Sequence, residues 1–260
     1  MPLTFETARF RWSASWSMTL LTLLGAALFI QLGRWQWHRA AAASAIQRAF
    51  AAGSGARAGL PAGDIAALPR YSGVQVSGRY DSAHQFLLDN MSHGGQPGYE
   101  VLTPLRLTDG RTLIVNRGWV PLTESRSQLP DVKLPQAPGT RVEGRLDSLP
   151  RPGISLGHAP PATGAAWPKL TSFPTMADLS AALGVPLEPR VLLLDATAPF
   201  GYVRDWQPAG MSPAQHLSYA FQWWAFAAIA LVLYGALNRR RRAAPAALVV
   251  AGPRAGGGHA

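Results

Sequence analysis

Two uncharged apolar runs, one near each end of the chain, constrain its fold more than any other feature. The first, WSMTLLTLLGAALFIQL from Trp16, supplies about 17 residues, near the lower limit for crossing the hydrocarbon core of a bilayer. A cleaved signal peptide would have a shorter apolar stretch, and Arg34 and Arg39 separate this one from the alanine tract Ala40 to Ala43, so an anchor is expected. The second, LSYAFQWWAFAAIALVLYGAL from Leu217 to Leu237, has about 21 residues and spans comfortably. Tyr219, Trp223 and Trp224 at one end and Tyr234 at the other fit interfacial aromatic belts, which a buried helix of a soluble protein would not need.

Arginine placement sets the expected orientation. The net charge of +10 is almost all arginine, with lysine only at 133 and 169. Arg239 to Arg242 directly follow the second run, where a basic cluster is held on the cytoplasmic side by insertion and by anionic headgroups. That position favours a lipid bilayer as partner and argues against nucleic acid. Two spans then make both termini cytoplasmic, as Arg9 and Arg11 also suggest, although Arg34 and Arg39 pull the other way. The expected organisation is a cytoplasmic N-terminus over 1–15, a transmembrane helix over 16–33, an extracytoplasmic domain over 34–216, a second helix over 217–237 and a basic, disordered cytoplasmic tail over 238–260. In a bacterial inner membrane the central domain is periplasmic.

The middle of the chain reads as mainly antiparallel β. Trp35 to Phe50 first continue the helix, being rich in alanine and free of glycine and proline. A Gly/Pro loop follows, and then YSGVQVSGRY and HQFLLDN alternate as strands do. YEVLTPLRL and RTLIVNRGWV flank Asp109-Gly110 as a hairpin, and TRVEGRLDS and RVLLLDA add further strands. One short helix is expected over Thr175 to Leu183, capped at Thr175 and stopped by Gly184. The fold class is therefore a membrane protein whose two transmembrane helices pack as a pair and flank a mainly antiparallel α+β domain.

No enzyme constellation emerges. Nucleophile elbow, phosphate loop and HExxH are all missing, and the absence of cysteine removes disulfides, thiolate metal sites and cysteine nucleophiles. Asp89 and Glu100 read as surface carboxylates in loops, and His84, His93 and His158 as surface histidines. In NRGWVP, Gly118 is expected to serve backbone geometry, Trp119 to pack, and Asn116 and Arg117 to act as structural hydrogen-bonders.

His216 stands apart because it lies at the outer boundary of the second span, where ionisable groups are costly. Helical spacing places Tyr219, Ala220 and Trp223 on its face. Such a histidine either anchors the helix at the headgroups, the plainer alternative, or serves as an axial haem ligand beside small and aromatic residues. LGRWQWHRA brings Arg34, Trp35, Gln36, His38 and Arg39 to the same boundary, where the arginines suit haem propionates or phospholipid phosphates equally.

Three blocks resemble the surfeit locus protein 1 family of assembly factors for cytochrome c oxidase and related haem–copper oxidases. They are LGRWQWHR with Gly33, Trp35, Gln36 and Arg39; the long run from Leu87 to Pro121 with Gly98, Tyr99, Pro104 and Asn116 to Pro121; and HLSYAFQWWAFA with His216, Tyr219, Gln222 and Trp223. The resemblance covers about residues 15–240 and departs after Arg39, where alanines stand in place of an aromatic-lysine pair. It implies a role in maturing oxidase subunit I, with haem a transiently bound and His216 as axial ligand to its iron. On that picture Tyr219, Trp35 and Trp223 surround the ring and Arg34 and Arg39 hold its propionates. A second ligand from His38 is an option outside the family motif. The implied partners are oxidase subunit I and a haem a synthase. A scaffold that stabilises oxidase intermediates without touching haem is the alternative, and a membrane-tethered enzyme lacks a catalytic set.

Overall fold

The computed structural model describes residues 3–6, 10–53, 55, 57–123, 128–134, 139–150, 158–164, 166–208 and 210–241. In chain order these form β1 (Leu3–Glu6), β2 (Phe10–Ala14), α1 (Trp16–Ala52), β3 (Ala58–Gly59), β4 (Gly73–Tyr80), β5 (Phe86–His93) and β6 (Gln96–Leu107). Then follow β7 (Thr112–Pro121), β8 (Thr140–Asp147), β9 (Lys169–Thr171), α2 (Met176–Leu183), β10 (Val191–Leu194), α3 (Pro213–Leu237) and β11 (Arg239–Arg241). The chain divides into two compact bodies, one of residues up to Ala42 with those from Met211 onward, the other Ala43–Gly210.

The first body is a helix pair with a small sheet. Both helices are long and apolar enough to cross a membrane. Their buried positions form narrow seams, Ala26, Gly33, Gln36 and Ala40 on α1 and His216, Ala220 and Ala227 on α3, small residues except for Gln36 and His216. Spacings of three, four and seven place each set on one stripe, as in a closely paired coiled coil. The large apolar side chains point elsewhere: Leu20, Leu24, Leu28, Phe221, Ile229 and Leu233 are all exposed. α3 begins four residues before the apolar run because Ser212 and Gln215 form a capping box and Pro213 occupies the first turn. Beyond its end, Arg239–Arg241 pair antiparallel with β2, which also pairs with β1. The expectation of a disordered tail from 238 is corrected over that stretch, where strand pairing with β2 orders the backbone. The remainder, 242–260, lies outside the described residues.

The second body is built on a closed ring of five strands, β4-β8-β10-β7-β6 and back to β4. β6 makes closure possible by its length, since Gly98 to Leu102 pair with β5 whereas Leu105 to Leu107 pair with β4. Alternate residues fill the ring: Val74 and Val76, Leu105 and Leu107, Leu113 and Val115, Val142 and Leu146, Leu192 and Leu194. Fully burying such a side chain contributes about 2 kcal/mol. The opposite faces of β5, β6 and β7 carry two further clusters. One packs under Leu179 of α2 and the other gathers Leu87, Tyr99, Val101, Val120 and Val132. Most pairings are antiparallel, as expected, with parallel ones at β7–β10, β5–β9 and β3–β4.

α2 begins and ends where its capping residues dictate. Thr175 and Asp178 form a capping box, and Gly184 closes the helix in the left-handed region at φ 70°. Gly110 at φ 90° makes the β6–β7 turn.

Candidate functional site

The NRGWVP run serves structure. Asn116 Nδ2 donates to Glu100 Oε2 at 2.7 Å, and Gly118, at φ 111°, leaves only the room that a glycine needs beside Val203 O. Arg117 is buried and donates to Phe200 O and Gln85 Oε1, each at 2.8 Å, and to Val132 O at 3.2 Å. Asp89 and Glu100 correct the surface-loop expectation, since both lie on strands, Asp89 buried and Glu100 half-buried. Strand alternation turns them inward, and they make no pair with each other: Asp89 accepts from the Asn90 backbone, and Glu100 accepts from Asn116. Burial raises the Glu100 carboxyl above its ordinary value against the opposing effect of the Asn116 bond. His84 pairs with Asp81 at 2.9 Å, and His158 accompanies Phe173 O and Asp178. His93 lies against the Trp119 ring.

The remaining polar chemistry of interest sits inside the helix pair. The capped first turn of α3 fixes His216 in the seam, where its side chain is 7% exposed. Gln36, 9% exposed, faces it from α1, and His216 Nδ1 lies within hydrogen-bond distance of Gln36 Oε1, at 2.8 Å. The helices approach closely here because Ala220 is fully buried beside His216 and Gly33 leaves a slot for the Trp224 indole. An aromatic collar surrounds the seam. Trp37 and Trp224 lie 5.9 Å apart, Phe221 meets Trp224 edge-on at 5.6 Å, and Phe29 stacks on Trp223 at 5.7 Å.

The structure brings only part of the expected set together. Trp223 is half-buried in the collar near the seam. Tyr219 is 45% exposed and not on the seam, because a stripe as narrow as His216, Ala220 and Ala227 excludes the position three residues on. Trp35 is 56% exposed and on the side of α1 away from Gln36's partner. Arg34 and Arg39 are exposed, about 140° apart around the helix over the side turned away from the Gly33–Gln36–Ala40 stripe. His38 is exposed as well. Gln36, Trp37 and Trp224 are the members that the sequence left unassigned to the site. The signal for Gln36 was available: it is the one polar residue at seam spacing between Gly33 and Ala40.

This donor set can do one thing with a metal. Among the described residues no cluster of three histidines or carboxylates could hold a bare ion. A lone imidazole with its Nδ1 already committed suits a metal that arrives with its own equatorial ligands, and a haem is of that kind. The residues present fit that group as a single-ligand site.

Comparison with known proteins agrees with the resemblance in the three blocks. A model of the SURF1 family matches residues 23–228, from within α1 to within α3. A SURF1-like protein of Monosiga brevicollis is 35% identical over 158 residues, which are 56% of this chain and 54% of that protein. The match thus spans about half the length of that relative. By the extent of the family match, which takes in most of both helices and the closed β ring, the chain belongs to the SURF1 family.

Proposed function

We propose that this protein is a membrane-embedded assembly factor for a haem–copper terminal oxidase, cytochrome c oxidase, and that it holds haem a through His216 and assists its insertion into subunit I. The observation that carries this reading is a buried imidazole on the seam of two long helices whose large apolar side chains face outward. In water those exposed leucines, isoleucines and phenylalanines would be unfavourable; in hydrocarbon they are at home. The arginines beyond α3 support an orientation with both termini in the cytoplasm and the β body outside a bacterial inner membrane. Oxidase subunit I and a haem a synthase are the partners that this surface would meet.

His216 would hold the haem iron, and Trp223, Trp224 and Trp37 would offer flat apolar surface around it. Arg34 and Arg39 offer charge to propionates from α1, and Tyr219 and Trp35 lie farther out. Haem a, when bound, would supply the iron that His216 holds. One protein ligand suits a carrier, because cargo held by a single bond can be released. The protein acts as a binding partner in this reading and catalyses no reaction.

A second reading is favoured by one feature. The polar demand of His216 is already met by Gln36, so the pair can serve as an interhelical fastener in a scaffold that never touches haem. The optical spectrum of protein purified from cells co-expressing haem a synthesis enzymes separates the two. A haem a band in the wild type, lost in His216→Ala while the circular dichroism is unchanged, supports the carrier. A wild type purified without haem, from cells that make haem a, overturns it in favour of the scaffold.

A further inference from the structure

Within the seam, the polar contact between the helices decides more than their register. We propose that Gln36 is a positioning residue that holds the proton of His216 on Nδ1 and so leaves Nε2 as the nitrogen free to ligate. Its use in binding rests on the haem reading above, whereas its physical content is independent of any cofactor.

A neutral histidine carries its proton on either ring nitrogen, and in water the two forms differ little in free energy. Inside the seam they differ greatly. A carbonyl oxygen can only accept a hydrogen bond, and Gln36 Oε1 stands 2.8 Å from Nδ1. With the carboxamide oxygen turned to the ring, as it stands here, the form protonated on Nε2 would set two lone pairs against each other at that distance. With His216 at 7% and Gln36 at 9% exposure, water is poorly placed to relieve the conflict. The same bond fixes the ring about its own axis. Nε2 lies across the ring from Nδ1, so the bond to α1 orients the free lone pair away from Gln36. This is the arrangement that histidine ligands generally need, where a partner on the far nitrogen sets the tautomer and raises the basicity of the ligating one. Gly33, Ala40 and Ala220 make it possible by keeping the seam narrow enough for one glutamine to bridge it.

The test uses full-length protein labelled with ¹⁵N-histidine, in lipid nanodiscs without haem, at a pH where imidazole is neutral. The His216 ring resonances are identified by their loss in His216→Ala. The expected result is a proton on Nδ1 in the wild type and in Gln36→Glu, which keeps an oxygen acceptor, and a shift to Nε2–H in Gln36→Leu. A wild type protonated on Nε2, or a Leu variant indistinguishable from it, overturns the proposal. Should the Leu variant fail to fold, the tautomer of the wild type still decides. Haem a retained by co-expressing cells is read on the same proteins, with a loss of at least about tenfold expected in Gln36→Leu and recovery in Gln36→Glu. An Nδ1–H wild type that retains no haem would overturn the haem reading and leave the role of Gln36 standing. Equal haem in the wild type and the Leu variant would do the reverse.

Discussion

A side-chain carbon placed on Gly33 would stand 2.2 Å from the indole nitrogen of Trp224, so at this level the α3 indole rests on the bare backbone of α1. Gly33→Ala should therefore push the ring out of its slot and weaken the pair by about 1–3 kcal/mol, the usual range for overpacking. Gly25→Ala is the control on the same helix, because nothing lies within 4 Å of the added carbon there. Thermal unfolding of both variants in nanodiscs checks the claim. Equal midpoints for the two alanine variants would show that the helices do not pair at Gly33.

In the β body the corresponding anchor is Arg117, 2% exposed and without a carboxylate on its guanidinium among the described residues. It ties the segment ahead of β5, through Gln85, to the carbonyls of Val132 and Phe200, and its charge lies 4.9 Å from the Tyr202 ring centre. Arg117→Met keeps much of the volume but abandons those acceptors, for an expected loss of about 3 kcal/mol, since each buried polar group left unmatched costs about 1–3 kcal/mol. Urea unfolding of the full chain, followed by far-ultraviolet circular dichroism, reads this directly. An unchanged midpoint would show that these buried bonds add no net stability.

Local chemistry made some of this architecture legible in the sequence. Thr175 and Gly184 bracket α2 because caps act within four residues, Asp109-Gly110 marks its hairpin for the same reason, and an alanine-rich stretch carries α1 to Ala52. What escaped depends on partners distant in the chain. The closure of β4 on β6, the parallel pairing of β7 with β10 and the strand at Arg239–Arg241 are set by tertiary contacts that no local pattern encodes. The site divides the same way. His216 stands out because a titratable group at membrane depth needs a reason, while Tyr219 joins it on spacing alone, which does not say how narrow the seam is. Gln36 could be matched to His216 only once the register of the two helices was known.

Tyr80 gives a prediction of the opposite sign. Its hydroxyl is buried and has no hydrogen-bond partner among the described residues, and burial pushes the phenol up to about 12 although Arg117 and Arg204 pull it down. Removing an unsatisfied buried hydroxyl relieves its desolvation, so Tyr80→Phe should stabilise the protein by about 1 kcal/mol. Thermal unfolding tests the stability. Phenolate absorbance in an alkaline titration should show one tyrosine fewer ionising near 12. A variant less stable than the wild type would mean that the hydroxyl has a partner.

Glu100 makes the β body sensitive to pH in a direction that burial determines. Its carboxyl titrates above the ordinary glutamate value because burial outweighs the bond from Asn116. The folded protein therefore keeps this proton at pH values where the unfolded chain has released it. Stability from this group is fully present below the ordinary glutamate value and declines as pH rises toward the raised folded value. Above that it is lost and changes no further. Glu100→Gln retains an oxygen to accept from Asn116 Nδ2 and carries no titrating proton. Plotted against pH, unfolding free energy of the wild type minus that of the variant should fall across this window with a limiting slope of about 1.4 kcal/mol per pH unit, and stay flat on either side. Denaturant unfolding from below the ordinary glutamate value upward through neutral pH supplies the curve. A difference that rises with pH would mean that Glu100 is held ionised in the fold, by a cation rather than by Asn116 alone.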